Sequence, residues 1–453
     1  MGTVAAVSTP EAAGGIAVIR ISGSAAFDIA EKIFKSVGGQ KVAEMKGYTC
    51  AYGGIYDGKE KLDECILTVF RSPHSYTGED VAEISCHGGI YVTKSILRLI
   101  LRNGAEIAPP GEFTKRAFLN GKIDLTQAES VMDVISAKSQ QELKMASNLK
   151  EGLMFKKTQS VKAQLLMVLG DLAAWADYPE EDIEAVEPNI LLETLIRIET
   201  ELSRIIEGYD YGRILRDGVN TVIIGKPNVG KSTLFNCLNG CERSIVTDIA
   251  GTTRDIVEET VKLGDIVLRL SDTAGVRQTD DIIEEIGVSM ALKRADEASL
   301  VIAVFDGSCP LEADDLTLLE RLQGYRCLAV INKSDEMQRI NGSFICEKIP
   351  HTVYISAKDG TGIEEIRDAV SELLGGKNFD SENSSSVNER QKCCIDKAIR
   401  AVREACEAVQ SGVLLDAVTV ILEEAVQSLL ELTGEKITEA VVDEVFSRFC
   451  VGK

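Results

Sequence analysis

The chain is poor in aromatic residues, in positive charge and in paired cysteines. Aromatic residues make up 5% of its 453 residues, which favours helix-rich cores packed by aliphatic side chains over an all-β sandwich. The formal net charge is -22, which excludes strong nucleic-acid binding by bulk electrostatics without a local basic patch or a basic partner. The twelve cysteines contain no C-x-x-C pair, so we expect reduced thiols rather than a zinc ribbon.

Leader segments and long apolar runs are lacking as well. The N-terminus carries no basic segment followed by an apolar run, which argues against a signal peptide. Myristoylation at Gly2 is disfavoured because Ala6 stands where serine or threonine is wanted. No run is long and apolar enough to span a bilayer, so we expect a cytoplasmic protein without a membrane role.

A chain of this length predicts two to four domains. Residues 1–118 mix short apolar runs with glycine-rich turns and indicate an α+β domain, with strands predicted at 16–21, 64–70 and 81–85 and a helix at 90–101. Residues 119–216 have apolar residues at helical spacing, interrupted by Pro179 and Pro188. The spacing is clearest at Leu191, Leu195, Ile198, Leu202, Ile205 and Ile206.

Residues 217–376 alternate strands with helices, which predicts a mostly parallel sheet covered on both faces. The predicted strands are 221–224, 266–270, 300–305, 327–331 and 353–355. A polar segment at 378–390 indicates a linker, and helical spacing resumes within 377–453. The simplest interpretation is one discontinuous helical domain into which the α/β domain is inserted, and two separate bundles are the alternative.

The segment 225–232, G-K-P-N-V-G-K-S, follows a strand and opens a helix, as a phosphate-binding P-loop requires. Its backbone amides would surround the phosphates at the positive end of the helix. Lys231 would reach the β- and γ-phosphates, and Ser232 would ligate Mg²⁺. The nucleotide contacts predicted here are Asn228, Val229, Gly230, Lys231, Ser232 and Thr233.

Four further motifs follow in the order of a GTP-binding domain. Asp335, in the motif Asn332-Lys333-Ser334-Asp335, can accept hydrogen bonds from N1 and N2 of guanine, a pair of donors that adenine lacks. The motif 356–358 would present a backbone amide to guanine O6. Segment 251–255 can close on Mg²⁺, and Asp272 can hold Mg²⁺ through water. The predicted contacts in these motifs are Gly251, Thr252, Thr253, Asp272, Thr273, Ala274, Gly275, Asn332, Lys333, Asp335, Ser356, Ala357 and Lys358.

The sequence leaves open how hydrolysis is driven. Val276 stands where Ras-like enzymes place a water-orienting glutamine. The acidic stretch 280–285 could supply the missing group, although an acidic helix start is the simpler interpretation on composition. Asn228 could help to hold a monovalent cation beside the phosphates, or it could merely stabilise the turn.

Longer segments resemble the bacterial tRNA-modification GTPase family MnmE, also called TrmE, along essentially the whole chain. The ending F-C-V-G-K at 449–453 resembles the family's F-C-I-G-K, with Val451 as a departure. The segment 245–255, I-V-T-D-I-A-G-T-T-R-D, resembles the family's potassium-binding switch segment. The N-terminal segments that carry the resemblance are 19–23, 76–80, 87–89, 111–114 and 116–122.

The resemblance implies a folate-binding and dimerising α+β domain at 1–118, a discontinuous helical domain at 119–216 and 377–453, and an inserted Ras-like GTPase domain at 217–376. It implies that Glu284 orients the attacking water and that Cys450 takes part in modification. Thr247, Asp248, Ile249 and Ala250 would join the GTP contacts. Mg²⁺ would be held by Ser232 and Thr253, and K⁺ by Asn228, Thr247, Ile249 and Thr252. A tetrahydrofolate derivative (5-formyl or 5,10-methylene) would bind at Arg20, Glu83, Lys122 and Lys453.

The family's activity would make the chain a K⁺-dependent GTP hydrolase that works as a homodimer with an FAD-containing partner of the MnmG (GidA) type. Together they would install an aminomethyl or carboxymethylaminomethyl group at C5 of the tRNA wobble uridine. The alternatives are a ribosome-assembly GTPase of the Era or Der kind and a switch protein without chemistry. Era and Der share the five GTP motifs but carry neither this N-terminal domain nor the C-x-G-K tail.

Overall fold

The structure is a computed structural model, and its described residues fall into two compact units. It describes residues 1–177, 187–207, 209–241, 259–270, 295–296, 298–376 and 387–453. One unit comprises Met1–Met132, Leu149–Ser203 and Cys393–Lys453. The other comprises Asp133–Asn148 and Arg204–Lys392. The four domain boundaries expected from the sequence stay a prediction.

The N-terminal part of the first unit is a seven-stranded, mostly antiparallel sheet with two helices on one face. Its strands are β1 (Val4–Val7), β2 (Ile16–Ser22), β3 (Phe34–Ser36), β4 (Thr49–Asp57), β5 (Glu60–Phe70), β6 (Val81–His87) and β7 (Glu106–Ile107). The helices are α1 (Ala26–Ile33) and α2 (Ile90–Arg102). The strand order is β3-β4-β5-β6-β2-β1-β7, and β1 pairs with β7 in parallel.

Strict alternation along the strands separates the two faces of this sheet. Ile19 and Ile21 on β2, with Leu67 on β5 and Ile84 on β6, are fully buried against α1 and α2. The residues between them point to the opposite face. Arg20 and its register partner Glu83 therefore share the face that the two helices leave uncovered.

Helices on both sides of the α/β segment complete the first unit, although residues 133–148 belong to the second unit. Helices α3 (Glu112–Leu119), α4 (Leu125–Ser136), α5 (Gln140–Lys150), α6 (Leu153–Asp177) and α7 (Pro188–Ile206) precede the α/β segment. Helices α13 (Glu389–Gln410), α14 (Leu415–Thr433) and α15 (Glu439–Ser447) follow it. Lys162 on α6 pairs with Glu435 at 2.7 Å, and Glu199 on α7 pairs with Arg403 on α13. The helices before and after the α/β segment therefore form one bundle, which confirms the discontinuous helical domain over two separate bundles.

The second unit contains a six-stranded sheet in the order β13-β12-β11-β8-β10-β9. Its strands are β8 (Val219–Ile224), β9 (Glu259–Leu263), β10 (Ile266–Leu270), β11 (Leu300–Asp306), β12 (Cys327–Asn332) and β13 (Thr352–Tyr354). Its helices are α8 (Tyr209–Asp217), α9 (Lys231–Cys241), α10 (Ala313–Arg321), α11 (Gly342–Lys348) and α12 (Ile363–Leu373). The β9–β10 pair is antiparallel and the others are parallel, which confirms the mostly parallel sheet.

Both faces of the parallel strands are buried, as the continuous apolar runs require. Leu300, Ile302 and Val304 on β11 pack into one core with helices α9 and α12. Val301 and Phe305 on the same strand pack into a second core with α10 and α11. Successive residues of the strand therefore serve opposite layers of helices.

Several sequence predictions need correction at their boundaries; β5, for example, begins at Glu60 rather than at residue 64. The polar segment predicted as a linker to residue 390 ends earlier, because α13 begins at Glu389. Asn388 and Gln391 form a reciprocal cap there: each side-chain oxygen accepts the other residue's amide, at 2.8 and 3.1 Å. Such a cap starts a helix inside a polar run. The last strand also lies one residue earlier than predicted, at Thr352–Tyr354.

Candidate functional site

The P-loop lies between β8 and α9, and two of its glycines have positive φ angles. Gly225 has φ 150° and Gly230 has φ 97°. A Cβ atom at Gly225 would overlap the carbonyl oxygen of Val304, and one at Gly230 would overlap the side-chain Nδ2 of Asn332. The loop therefore needs glycine at both positions, for its backbone angles and for its close contacts with neighbouring strands.

Lys231 lies inside the curve of the P-loop. Its ammonium donates hydrogen bonds to the carbonyl oxygens of Gly225 at 2.8 Å and Lys226 at 2.6 Å. Burial lowers the pKa of Lys231 below its ordinary value. Both of these acceptors are neutral, and a buried ammonium gains more from an anion, so the arrangement suits a phosphate.

Asn332 connects three of the predicted nucleotide motifs. Its side chain is buried, its Nδ2 donates to the carbonyl of Val229 at 2.9 Å, and its Oδ1 accepts from the amide of Ala357 at 3.0 Å. The P-loop, the 332–335 loop and the 356–358 loop are therefore held together by one amide group. Each polar atom of this buried side chain therefore has a hydrogen-bond partner, and the spacing of the loops is fixed.

The side chains predicted to meet the nucleotide directly lie at the surface of these loops. Asp335, Lys358, Ser232 and Thr233 are exposed, and so is Asn228, which has a left-handed backbone with φ 61°. Ser356 is buried, and its hydroxyl donates to Asp359 Oδ2 at 3.2 Å. The structure thus brings together the described motifs of the predicted GTP site.

Sequence reasoning missed three ion pairs, formed by two lysines, that support this site. Lys226 Nζ lies 2.7 Å from Glu312 and 2.7 Å from the buried Asp315, at the start of α10. Lys333 Nζ lies 2.6 Å from Asp306, the last residue of β11. The signal available in the sequence was an acidic residue at the end of a buried strand and two more at a helix start.

Several predicted residues lie outside the described part of the chain. The structure is therefore silent on the switch segment, on the Asp-x-x-Gly motif and on the predicted catalytic glutamate. These residues are Thr247, Asp248, Ile249, Ala250, Gly251, Thr252, Thr253, Asp272, Thr273, Ala274, Gly275 and Glu284.

A second candidate site lies on the uncovered face of the N-terminal sheet. Arg20 Nε donates to Glu83 Oε1 at 2.8 Å, and its NH2 group lies 2.7 Å from the same oxygen. The guanidinium also lies over the rings of Tyr76 and Phe113, at 5.6 and 5.3 Å from their centres. Ion pairing and ring contacts on two sides fix this arginine in one orientation.

A cavity of about 310 Å³ opens beside this pair. Lys453, from the predicted folate set, lines it together with Arg20 and Glu83. The remaining lining residues are Phe70, Tyr76, Val81, Val131 and Lys150. Lys122, the fourth predicted folate residue, lines a different and larger cavity, and its ammonium donates to the carbonyl of Pro73 at 3.0 Å.

Backbone contacts hold the C-terminal tail at this cavity. The main-chain oxygen of Lys453 accepts from the amide of Phe113 at 3.1 Å, and that of Cys450 accepts from Gly111 at 3.4 Å. Gly452 has φ 91°, and a Cβ there would overlap the carbonyl oxygen of Val7 on β1. The Cys450 side chain is exposed.

Two family models match the chain, and between them they cover most of it. The model described as GTP-binding protein TrmE N-terminus matches residues 3–122. The model described as MnmE helical domain matches residues 125–450. The chain belongs to the MnmE family. The family resemblance deduced from the sequence is thereby confirmed.

Curated MnmE proteins match the chain from end to end. A tRNA modification GTPase MnmE of Acetivibrio thermocellus is 42% identical over 100% of this chain and 99% of its own. One of Clostridioides difficile is 41% identical over the same shares of the two chains. Among solved structures, the G domain of the T. maritima FeoB iron transporter is 25% identical over 34% of this chain and 98% of its own, with a TM-score of 0.25.

Among the described residues, neither a membrane-spanning helix nor a cluster of metal-ligating side chains is present. No helix among them is both long and apolar enough to cross a membrane. Within the same residues, no group of three or more His, Cys, Asp or Glu side chains is arranged to hold a metal ion. The described residues predicted to hold a cation, Ser232 and Asn228, offer a hydroxyl and an amide oxygen and so do not belong to that kind of cluster.

Proposed function

We propose that this MnmE family member is a K⁺-dependent GTP hydrolase that uses a tetrahydrofolate one-carbon unit to modify tRNA. With an FAD-containing partner of the MnmG type, it would install an aminomethyl or carboxymethylaminomethyl group at C5 of the wobble uridine. The coarser statement follows from family membership: the chain is a GTP hydrolase of tRNA modification and binds GTP with Mg²⁺. The observation that carries the finer proposal is the Arg20–Glu83–Lys453 cavity, because a GTPase that acts only as a switch needs no second small-molecule site.

At the GTP site, the described residues supply phosphate binding and base selection. Lys231 would exchange its two carbonyl acceptors for β- and γ-phosphate oxygens, and Ser232 would face Mg²⁺. The exposed carboxylate of Asp335 would accept from guanine N1 and N2, while the amide of Ala357 donates to Asn332 Oδ1 and thereby fixes the position of the 356–358 loop. A base without this pair of donors would leave the carboxylate unpaired.

The charge that builds up during hydrolysis needs compensation beside the β- and γ-phosphates. Asn228 is exposed in the P-loop with its backbone constrained at φ 61°, so its side-chain oxygen is available to a monovalent cation. We assign K⁺ to Asn228 with Thr247, Ile249 and Thr252, and the second Mg²⁺ ligand to Thr253. When bound, the cation supplies positive charge where an arginine finger would. Glu284 would orient the attacking water, since Val276 cannot.

At the N-terminal cavity, the donor and acceptor groups suit a folate. Glu83 can accept from the donors of a pterin ring, and Arg20 and Lys453 can bind carboxylates of the glutamate tail. Tyr76 and Phe70 give the cavity an aromatic wall. When bound, the folate supplies the one-carbon unit. Lys122 would contact it from the neighbouring cavity.

Cys450 is the candidate reactive group near this cavity. Its thiol is exposed and its main-chain oxygen is anchored to Gly111, so the side chain is presented at a fixed place. We propose that it takes part in the modification step. A Cys450→Ser variant tests this role when its tRNA modification and its GTP hydrolysis are measured separately.

The partners follow from charge and from the uncovered sheet face. With a net charge of -22, the chain needs a basic partner to bring it to tRNA, and we propose that the FAD-containing protein fills this role. The exposed face of the N-terminal sheet, with Tyr52 and its register partner Ile66, is a candidate surface for a homodimer. We expect these assemblies in the cytoplasm.

Three measurements test the proposal. Replacing K⁺ by Na⁺ should slow GTP hydrolysis by more than about tenfold if a cation of defined size completes the site.

Glu284→Ala should abolish hydrolysis and leave GTP binding intact. Nucleoside analysis of tRNA from a strain without the gene should show wobble uridine lacking the C5 group. An unchanged nucleoside profile, with defects in ribosome assembly instead, would favour the Era or Der alternative.

A further inference from the structure

An acidic side chain outside all five nucleotide motifs contacts residues 332–335, which are called the guanine-recognition loop below. Asp306 ends β11 and is the register partner of Asn332 on β12. Its Oδ2 accepts a hydrogen bond from Lys333 Nζ at 2.6 Å. Its Oδ1 accepts from the amide of Ser308 at 2.9 Å and from the Ser308 hydroxyl at 2.6 Å. Both oxygens are engaged, so the carboxylate is held in place by its own turn.

Lys333 has an unfavourable backbone conformation that its surroundings must maintain. Its φ of 64° lies in the left-handed region, which costs a residue other than glycine about 1 kcal/mol. Gln338 Nε2 donates to its carbonyl at 2.8 Å, and Asp306 holds the other end of the side chain. The Lys333 and Asp306 side chains are 30% and 16% exposed, so the contact is partly shielded from water.

Backbone hydrogen bonds join the same turn to Asn332, where the guanine-recognition loop begins, and to residues 339–340, which follow that loop in the chain. The amide of Gly307 donates to the carbonyl of Asn332 at 2.9 Å. The carbonyl of Gly307 accepts from the amides of Arg339 at 2.8 Å and Ile340 at 3.2 Å. A Cβ at Gly307 would overlap Gln338 Oε1, so the two segments are closely packed.

The electrostatics of the pair agree with this geometry. Burial opposes ionisation of Asp306, but the hydrogen bonds from Lys333 and Ser308 outweigh it and lower the pKa of the carboxyl. The hydrogen bond to Asp306 raises the pKa of Lys333. Both groups are therefore charged at neutral pH, and removing either charge leaves a partly buried partner without its counter-ion.

We propose that Asp306 is a positioning residue for guanine recognition: it fixes Lys333 and so sets the direction of the loop that ends at Asp335. Asp335 is exposed, so the orientation of its carboxylate depends on the backbone of this loop. Asp306 acts through Lys333 and does not itself touch the base. The inference rests on the assignment of guanine selection to the 332–335 loop, made above.

The test compares the affinities of the purified full-length protein for GDP and for IDP, whose base lacks the 2-amino donor. The wild-type protein should bind GDP more tightly than IDP. Asp306→Asn should weaken GDP binding by about tenfold, the scale of one charged hydrogen bond, and should lower the GDP-to-IDP affinity ratio. Lys333→Met should also weaken GDP binding and lower the GDP-to-IDP affinity ratio. The double variant should bind GDP no more weakly than the single variant that has the lower GDP affinity.

The matched control is Asp314→Asn, an exposed carboxylate eight residues further along the chain. It should leave both affinities unchanged. For Asp306→Asn, kcat at saturating GTP should stay near the wild-type value while KM rises. An unchanged affinity ratio, with or without a lower melting temperature, overturns the positioning role, and so do additive effects in the double variant. A wild type without preference for guanine nucleotides would instead refute the assignment of the guanine site.

Discussion

The nucleotide site and the N-terminal cavity are assembled in opposite ways. The nucleotide site uses short contiguous motifs at the ends of the parallel strands β8 and β12, which flank β11, with Asn332 joining three loops. The cavity combines Arg20 and Glu83, on adjacent antiparallel strands, with Lys453 at the far end of the sequence. The first site depends on strand order, and the second depends on how the tail is held against the sheet.

This difference predicts that the two sites fail independently at the level of binding. A change in the P-loop should abolish nucleotide binding and leave folate binding intact. A change in the tail should weaken folate binding without affecting the nucleotide. The following predictions test this independence in order of decreasing effect.

The largest effect is expected from Gly230→Ala. The new Cβ would overlap the Asn332 amide and would also require φ 97° of a residue with a side chain. Together these should weaken GDP binding by more than about a hundredfold, as measured by isothermal titration. Gly375→Ala is the matched control, because Gly375 has φ 94° and nothing within 4 Å of its Cβ position. If Gly375→Ala weakens GDP binding equally, backbone strain rather than the contact with Asn332 explains the loss of affinity.

Arg20→Met should give the next largest effect, on folate only. The substitution leaves Glu83 partly buried without its cation and removes a donor for the ligand's carboxylates. We expect about a thirtyfold loss of 5-formyltetrahydrofolate affinity, the scale of a charged hydrogen bond, with GDP affinity unchanged. Glu64→Gln, at an exposed ion pair of the same sheet, is the control. Unchanged folate affinity would place the ligand elsewhere.

Gly452→Ala tests the dependence of the cavity on the tail. The Cβ would overlap the carbonyl of Val7 and should displace Lys453 from the cavity, which lowers folate affinity by about tenfold. Gly412→Ala matches the positive φ, at 70°, but its Cβ position has no neighbour within 4 Å. Equal folate affinity in wild type and Gly452→Ala would show that the tail does not build the site.

The smallest effect is expected from Asp315→Asn. Lys226 would keep Glu312 as a partner but would lose the more buried of its two carboxylates. We expect a three- to fivefold loss of GTP affinity, roughly 1 kcal/mol, because the P-loop is held less firmly. Stopped-flow measurement should place the change in the dissociation rate. A faster association rate with unchanged dissociation would argue against this support of the P-loop.

The strands and helices around the predicted nucleotide site agree with the sequence-based expectation because their signals are local. The strand 266–270 and the motifs around Lys231 and Asn332 were placed correctly, since a buried strand followed by a glycine-rich or polar turn has few alternatives. The sequence did not predict the start of α13, because the polar run before it indicated a linker. Asn388 and Gln391 have the spacing of a helix-capping pair, which was the available signal.

Contacts between distant residues were beyond the reach of sequence patterns. Nothing in composition or spacing pairs Arg20 with Glu83, or brings Lys453 to the same cavity; only the family resemblance indicated these residues. The pair Asp306–Lys333 was missed for the same reason, because it depends on the register of β11 and β12. Register and tail placement are set by tertiary packing rather than by local propensity.

The most direct test is nucleoside analysis of tRNA from cells in which this gene is replaced by single-site variants. The account predicts that wild type restores the C5 group on the wobble uridine, whereas Gly230→Ala and Arg20→Met each fail although each protein keeps its other binding site. Full modification by either variant would contradict the claim that one chain needs both sites for its reaction.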